Sequence, residues 1–484
     1  MRRVSLSLQR WHLTAALAGG ALLAALLAPD IGGSLTTAPS EVPVVEPPTS
    51  GPAVPLTTTV AVATPVDAGP VQLRASLDQS AVLQGTGNER FVVIELEAPE
   101  ELGDIRRPVH VAVVMDTSGS MAGRGKITHA RQAAQELVGM LGPQDTFSLV
   151  TFDDRARVVL PSAPVLNTAN LQRRIGAIQT GGGTNLFDGL AAGQAELQKD
   201  GLEGVRRVIL LSDGKANIGV SDDASLRRQA GALVTSGVSV SALGLGLDFN
   251  EDLLAAMSDA GGGRYRFVDR PGELAEVFSD ELQRIGKVVA REASLAVALP
   301  PGIVLEEVYG YEADIGNNGA RVFLGDLHAG EKRKVVARVR VPTDRAGAVE
   351  VAQVDLRYAN ADSGSLATAH ADVSAQITQD VALARRSVNK KARKQAVQVQ
   401  AAKLVDEGAR AWAAGDLATN QASYRQAEKL LNDYSVEFDD ADVAHSADAM
   451  EQQRGAFGRA APASAEGAVE VKRAKEAARG ASIY

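Results

Sequence analysis

VHVAVVMDTSGS, residues 109–120, is the stretch on which the reading of the whole chain turns. Val111, Ala112, Val113, Val114 and Met115 form an apolar run that stops at Asp116 and gives way to small hydroxyl and glycine residues. A strand buried on both faces carries such a run, because a parallel sheet is covered by helices on either side. A carboxylate placed where that strand runs out stands at its carboxyl end, where open α/β sheets hold their ligands. Asp116, Ser118 and Ser120 then offer three oxygen donors on one short loop, a set that suits a hard divalent cation.

Outward from this strand, apolar strands alternate with amphipathic helices over residues 109–287. Ile127, Ala130, Ala134, Leu137, Val138 and Leu141 recur at helical spacing until Gly142-Pro143 stops them. Residues 146–152 are strand-like, Leu171, Ile175 and Ile178 mark a helix face, and a further helix follows Thr184. RVILLS, at 207–212, is a second buried strand that ends in a carboxylate, Asp213. Leu226, Ala230, Leu233 and Val234 predict a helix closed at Gly237, followed by a strand over 238–247. Asn250 reads as an N-cap, and Leu274, Phe278, Leu282 and Ile285 predict the last helix. This alternation predicts an α/β fold over 101–288, with a doubly wound, mostly parallel, Rossmann-like sheet and helices on both faces.

The flanks change period. VQLRASLDQ and RFVVIELEAP, on either side of a GTGN turn at 85–88, alternate as strands and place the first part of a second body at 71–100. Two strands are not stable alone. Residues 289–380 supply SLAVALP, GIVLEEVYGY, RVFLGDL, KVVARVRVP and VEVAQVDLRYA, short strands that predict a β-sandwich. If the chain enters and leaves the α/β domain at the end opposite its ligand loops, both flanks join in one sandwich beneath it. Residues 381–435, rich in Ala, Lys, Arg and Gln and broken at Gly415-Asp416, predict a C-terminal helical hairpin. One tetratricopeptide-like unit is the weaker alternative, since solenoids need about three repeats. The basic start of the hairpin (Arg385, Arg386, Lys390, Lys391, Arg393, Lys394) reads as a solvated face, with contact to an acidic surface as the alternative. The tail, 436–484, has little apolar content and is expected to be disordered.

Composition and the N-terminus narrow the classes. A net charge of −9 argues against a general nucleic-acid binder, and the absence of cysteine excludes disulfides and thiolate zinc sites. The six histidines include no pair at ligand spacing. Arg2, Arg3 and Arg10 precede an uncharged apolar stretch at 13–28, the pattern of an export signal. Its length falls just short of the roughly 20 residues that cross a bilayer untilted. A removed signal peptide, cut near Gly32-Gly33-Ser34, and an uncleaved membrane anchor fit residues 1–34 equally. Either places the body of the protein outside the cytoplasm, in the periplasm or at the cell surface. Residues 35–70 are a Pro/Thr-rich linker without periodicity.

Three distant segments suggest one site: Asp116-Thr117-Ser118-Gly119-Ser120 after the first strand, Gly181-Gly182-Gly183-Thr184, and Asp213-Gly214 after RVILLS. Together they resemble the von Willebrand factor type A (VWA) domain and its metal-ion-dependent adhesion site, DxSxS…T…D. The resemblance covers about 108–287, where FNEDLL and GGRYRFV also look like that family. LGDLHAGEKRKVV, at 324–336, resembles the β region that follows such domains in exported bacterial proteins described as von Willebrand or calcium-activated chloride-channel-like. That description concerns relatedness and carries no evidence of a channel. The resemblance implies a divalent cation on Asp116, Ser118, Ser120 and Thr184, with Asp213 acting through a bound water. It leaves one coordination position open for a carboxylate of a protein partner. A small, octahedral, oxygen-only site favours Mg²⁺ or Mn²⁺ over Ca²⁺.

Other readings of the same residues fail on pattern. A lone DxSxS is a turn signal, and Thr184 and Asp213 in the right order are what raise it to a metal site. Ile127 stands where an EF-hand needs its bidentate Glu. No GxSxG elbow is present for a serine nucleophile, and Gly214-Lys215 lacks the glycines of a phosphate loop. The expectation is a protein-binding module of the cell envelope, for adhesion or assembly, and no enzyme. The alternative is a subunit of a multiprotein or chaperone-like assembly with no adhesive role.

Overall fold

The computed structural model of the protein describes residues 61–62, 69–100, 107–199, 204–461 and 464–483. The expected export segment at 1–34 and most of the linker at 35–70 lie outside these residues. Among the described residues no helix is long and apolar enough to cross a membrane.

The chain opens with strands β1 (Ala61–Val62), β2 (Gln72–Leu77), β3 (Ala81–Leu83) and β4 (Glu89–Glu97). The α/β domain follows as β5 (Val109–Asp116), α1 (Lys126–Met140), β6 (Thr146–Phe152), β7 (Ala156–Pro164), α2 (Thr168–Gly176), α3 (Leu186–Leu197) and β8 (Val205–Ser212). It closes with α4 (Asp223–Val234), β9 (Val238–Leu245), α5 (Glu251–Ala260), β10 (Gly262–Val268) and α6 (Leu274–Ile285). Strands β11 (Val288–Ala298), β12 (Val304–Tyr309), β13 (Ala313–Gly316), β14 (Gly319–His328), β15 (Lys332–Arg340), β16 (Gly347–Asn360) and β17 (Leu366–Thr378) come next. Helices α7 (Val381–Arg386), α8 (Lys390–Ala413), α9 (Leu417–Phe438), α10 (Ala441–Arg459) and α11 (Ala465–Ile483) end the chain.

All eight residues of β5 are buried, as the apolar run predicts, and the strand lies inside a sheet of order β10-β9-β8-β5-β6-β7. It pairs in parallel with β6 on one side and β8 on the other; only β7, at the edge, runs antiparallel. Val111, Val113 and Met115 pack with Leu137 and Phe278 on one face. Ala112 and Val114 pack with Leu190, Leu226 and Leu253 on the other. Each fully buried Val or Leu of this kind stabilises the fold by about 1.5–3 kcal/mol. Because the chain leaves β5 toward β6 and later returns to its other side at β8, the winding switches at β5. A crevice opens at the carboxyl ends of the strands at such a point.

Both flanks join one sandwich, as expected. Strand β15 pairs antiparallel with β4 from Lys332↔Glu97 to Arg340↔Glu89, and β2 pairs with the other edge of β4. This sheet faces β13-β14-β11-β16-β17-β3 across a shared apolar core that includes Leu73, Ile94, Val335, Leu295 and Leu356. Entry to and exit from the α/β domain are adjacent, since Arg107 Nη1 donates to the Val288 carbonyl at 3.0 Å. At that end Arg207, fully buried, meets Asp326 at 3.0 Å, Glu281 at 3.5 Å and the Ser241 hydroxyl at 3.0 Å. This buried ion pair joins the sheet, α6 and the sandwich.

The C-terminal helices correct one expectation. The tail at 436–484 is helical where described: α9 runs on to Phe438, and α10 and α11 follow. Asp439, at φ 54°, ends α9, and Asp440 caps α10 by accepting from the Val443 N–H at 3.1 Å. The tail holds few large apolar residues because alanines let its helices approach closely: Ala447, Ala474 and Ala478 are buried beside Trp412, Phe457 and Val471. Charge adds to this. Lys472 Nζ lies 2.6 Å from Glu251 Oε2 and 3.8 Å from the centre of the Phe249 ring, fastening α11 to the α/β domain.

Candidate metal centre

Asp116 and Asp213 end neighbouring parallel strands, so the sheet itself sets their carboxylates side by side. Both are fully buried. Asp116 Oδ1 accepts from the Ser118 N–H at 2.8 Å and Oδ2 accepts from the Ser212 hydroxyl at 2.7 Å. Burial pushes the Asp116 carboxyl up to about 6 against those hydrogen bonds, and the Asp213 charge adds to the rise. A desolvated carboxylate of this kind gains from a nearby cation.

The loop after β5 turns into a 3₁₀ segment, Gly119–Gly125, that leads to α1. Two backbone hydrogen bonds tie it to the glycine loop: Gly119 N–H to the Gly182 carbonyl at 3.1 Å, and Gly181 N–H to the Thr117 carbonyl at 2.8 Å. Thr117 in turn donates to the Phe152 carbonyl through its N–H, 2.8 Å, and its hydroxyl, 3.1 Å. Thr184 is tied to the loop after β8, since its N–H donates to Asn217 Oδ1 at 2.8 Å and its carbonyl accepts from the Asn217 N–H at 3.1 Å. Gly183 is needed for this arrangement: a Cβ there would lie 2.7 Å from Ile218 Cγ1 and 2.9 Å from Asn217 Oδ1. The glycine therefore makes room for the third loop.

The hydroxyls come together. Ser118 Oγ and Ser120 Oγ stand 3.0 Å apart, and Ser120 donates to Asp213 Oδ1 at 2.7 Å. A Cβ at Gly214 would lie 3.4 Å from Thr184 Oγ1 and 3.7 Å from Ser120 Oγ, which puts both hydroxyls beside the β8 loop. The set suits a small octahedral cation. Two ligands at right angles around an ion at 2.0–2.1 Å stand about 2.9 Å apart, close to the Ser118–Ser120 separation. The donors are hydroxyl and carboxylate oxygens only, as hard dications require. Among the described residues no group of three or more His, Asp or Glu side chains could hold a metal, so any cation here depends on the hydroxyls. Ser120 and Gly119 are exposed and leave one side of the set open to solvent.

Sequence reasoning missed several residues here. Lys126, the first residue of α1, is buried, with Nζ 2.6 Å from Asp213 Oδ2. Asp154 Oδ1 accepts the Gly183 N–H at 2.7 Å. Ser212 and Asn217, described above, complete the support. None lies in a recognisable motif; the one signal was the placing of Ser212 and Asn217 close to Asp213. A cleft of about 950 Å³ opens elsewhere, between the edge strand β10, the sandwich and α11. Of its arginines, Arg227 meets Glu312 and Arg479 meets Asp259, and none of the five candidate metal-binding residues lines it.

Comparison with known proteins agrees with this fold. The family model for the von Willebrand factor type A domain matches residues 110–280. An uncharacterised protein of Synechocystis sp. is 28% identical over 300 residues, covering 59% of this chain and 70% of the relative. The uncharacterised Escherichia coli protein YfbK is 28% identical over 230 residues, covering 46% of this chain and 40% of its own. A solved structure, von Willebrand factor type A from Catenulispora acidiphila, superposes with a TM-score of 0.65 at 22% identity, covering 84% of this chain and 97% of that one. At that identity the likeness speaks for the fold, and it extends beyond the α/β domain to most of the chain. Residues 110–280 are a von Willebrand factor type A domain, carried between two parts of a β-sandwich.

Proposed function

We propose that the protein is a metal-dependent, non-catalytic binding module of the cell envelope that captures an acidic residue of a protein partner. One observation carries this reading: the Ser118 and Ser120 hydroxyls stand 3.0 Å apart on the loop that leaves the buried Asp116 carboxylate, and Thr184 Oγ1 lies beside the same β8 loop as Ser120. Asp116, Ser118, Ser120 and Thr184 would hold the cation, Mg²⁺ or Mn²⁺, and Asp213 would act through Ser120 and bound water. The cation would supply a positive, exchangeable coordination position to an incoming carboxylate. The chain's own part is to fix the donors: Ser212 and the Ser118 N–H hold Asp116 in orientation, and Asn217 holds the backbone of Thr184. The apolar segment at 13–28, with its preceding arginines, supports export and an envelope location, with or without retention as an anchor.

Pull-down from envelope extracts, with and without EDTA and with Asp116→Ala as control, tests the reading. A partner should be captured by the wild-type chain in magnesium and lost both with EDTA and in the variant. Capture indifferent to both would favour an assembly subunit without a metal-dependent contact.

A further inference from the structure

Lys126 stands where a lysine is least expected. It opens α1, where the helix dipole disfavours a cation, and its side chain is only 6% exposed, where an ammonium loses its hydration. The fold nevertheless makes room for it. Gly246, just past β9, has φ +79° and no side chain; a Cβ there would press on Lys126 Cε at 3.2 Å and Nζ at 3.4 Å. The ammonium reaches Asp213 Oδ2 at 2.6 Å. The remaining oxygen, Oδ1, accepts from Ser120. Asp248 is 4.0 Å from Nζ, but its side chain is 80% exposed and solvent screens it. Arg124, Asp269 and Glu466 line the small crevice beside the lysine.

We propose that Lys126 is a positioning residue that holds Asp213 out of direct contact with the cation and so reserves the cation's charge for an anionic ligand. The inference rests on the metal-dependent reading above. With both Asp213 oxygens engaged, the Ser120 hydroxyl donates its hydrogen bond to Asp213 and keeps lone-pair density for coordination. The charge count follows. A dication with Asp116 sums to +1, and Asp213 with Lys126 sums to zero, so the centre as a whole is +1. Without the ammonium the same centre is neutral, and Asp213 is free to turn onto the cation. Lys126 thus weakens metal affinity to some degree and strengthens attraction for a carboxylate.

The test uses the full chain, wild type and Lys126→Met, with Lys126→Gln as a variant that can still hydrogen-bond Asp213 without the charge. Calorimetry gives the affinity for Mn²⁺. Displacement of manganese-bound water by acetate, followed by proton relaxation, gives the affinity of the loaded centre for a carboxylate. In both variants manganese should bind as tightly as in wild type or tighter, while acetate binds about tenfold more weakly. A purely structural lysine would lower both affinities together. That result, or unchanged acetate affinity, overturns the inference; if Lys126→Met fails to fold, Lys126→Gln decides it. A wild-type chain that binds no manganese would instead remove the metal-dependent reading, and this inference with it.

Discussion

Trp412→Ala should detach the C-terminal helices. The indole is 1% exposed, donates from Nε1 to the Phe457 carbonyl at 3.2 Å, and packs on the Phe457 ring with centroids 5.2 Å apart. Its far edge lies against the backbone of Gly467, so one side chain holds both α10 and α11. Replacing a fully buried tryptophan with alanine costs about 3–5 kcal/mol, and the lost hydrogen bond leaves a buried carbonyl unpaired for about 1 kcal/mol more. Of that total, about 4 kcal/mol should fall on local opening of α10 and α11, close to a thousandfold in the opening equilibrium. Hydrogen exchange of peptides from 441–483 reads this directly. Wild-type amides there should be protected, and the variant's should exchange faster by a factor of that order, while β5 and β8 keep their protection. Wild-type peptides that exchange as fast as an unfolded chain would refute the packing argument. So would a variant indistinguishable from wild type.

Two further outcomes follow from the same contacts. Glu251 is half-buried, which raises its pKa, but Lys472 and Lys475 outweigh this and bring it down to about 2. A lowered carboxylate pKa stabilises the folded state fully above about 4.5, and that contribution, at most about 3 kcal/mol, is lost as pH falls toward 2. Protection of α11 should therefore fall between pH 5 and pH 2.5 in wild type and change less in Glu251→Gln; equal acid sensitivity would contradict the assignment. Gly183→Ala should push Ile218 and Asn217 away and shift Thr184, lowering manganese affinity about tenfold with a melting temperature within about 2 °C of wild type. Undiminished affinity on calorimetry would count against the role given to the third loop.

The parts of the fold legible in the sequence are those in which one physical demand dominates. β5 and β8 are buried on both faces, so their apolar runs had no competing explanation, and a carboxylate at the end of each could be read directly. The sandwich strands showed themselves by alternation. β7 did not: it is an edge strand, mostly exposed, with prolines at 161 and 164, and its sequence carries no strand-like period. The last two helices were hidden because alanine packs well but signals weakly, and because their docking depends on charges far away in sequence, Lys472 with Glu251 among them. The basic residues at 385–394 divide between the two readings: Arg385, Arg386, Lys390 and Lys391 are exposed, as a solvated face requires, while Arg393 meets Asp78 at 2.9 Å and Lys394 meets Asp440 at 2.9 Å. At the site, hydroxyl and carboxylate types at fixed order were readable. Lys126 was not, since a lysine ten positions from Asp116 is by default a solvated one.

The central claim, that these loops hold a dication with one face left free, is tested most directly by anomalous diffraction from crystals soaked in manganese. The account predicts one strong peak bounded by Ser118 Oγ, Ser120 Oγ, Thr184 Oγ1 and the Asp116 carboxylate, with water as the sole occupant of its solvent side. A map without a peak there, or one in which protein atoms including Asp213 fill every coordination position, would contradict it.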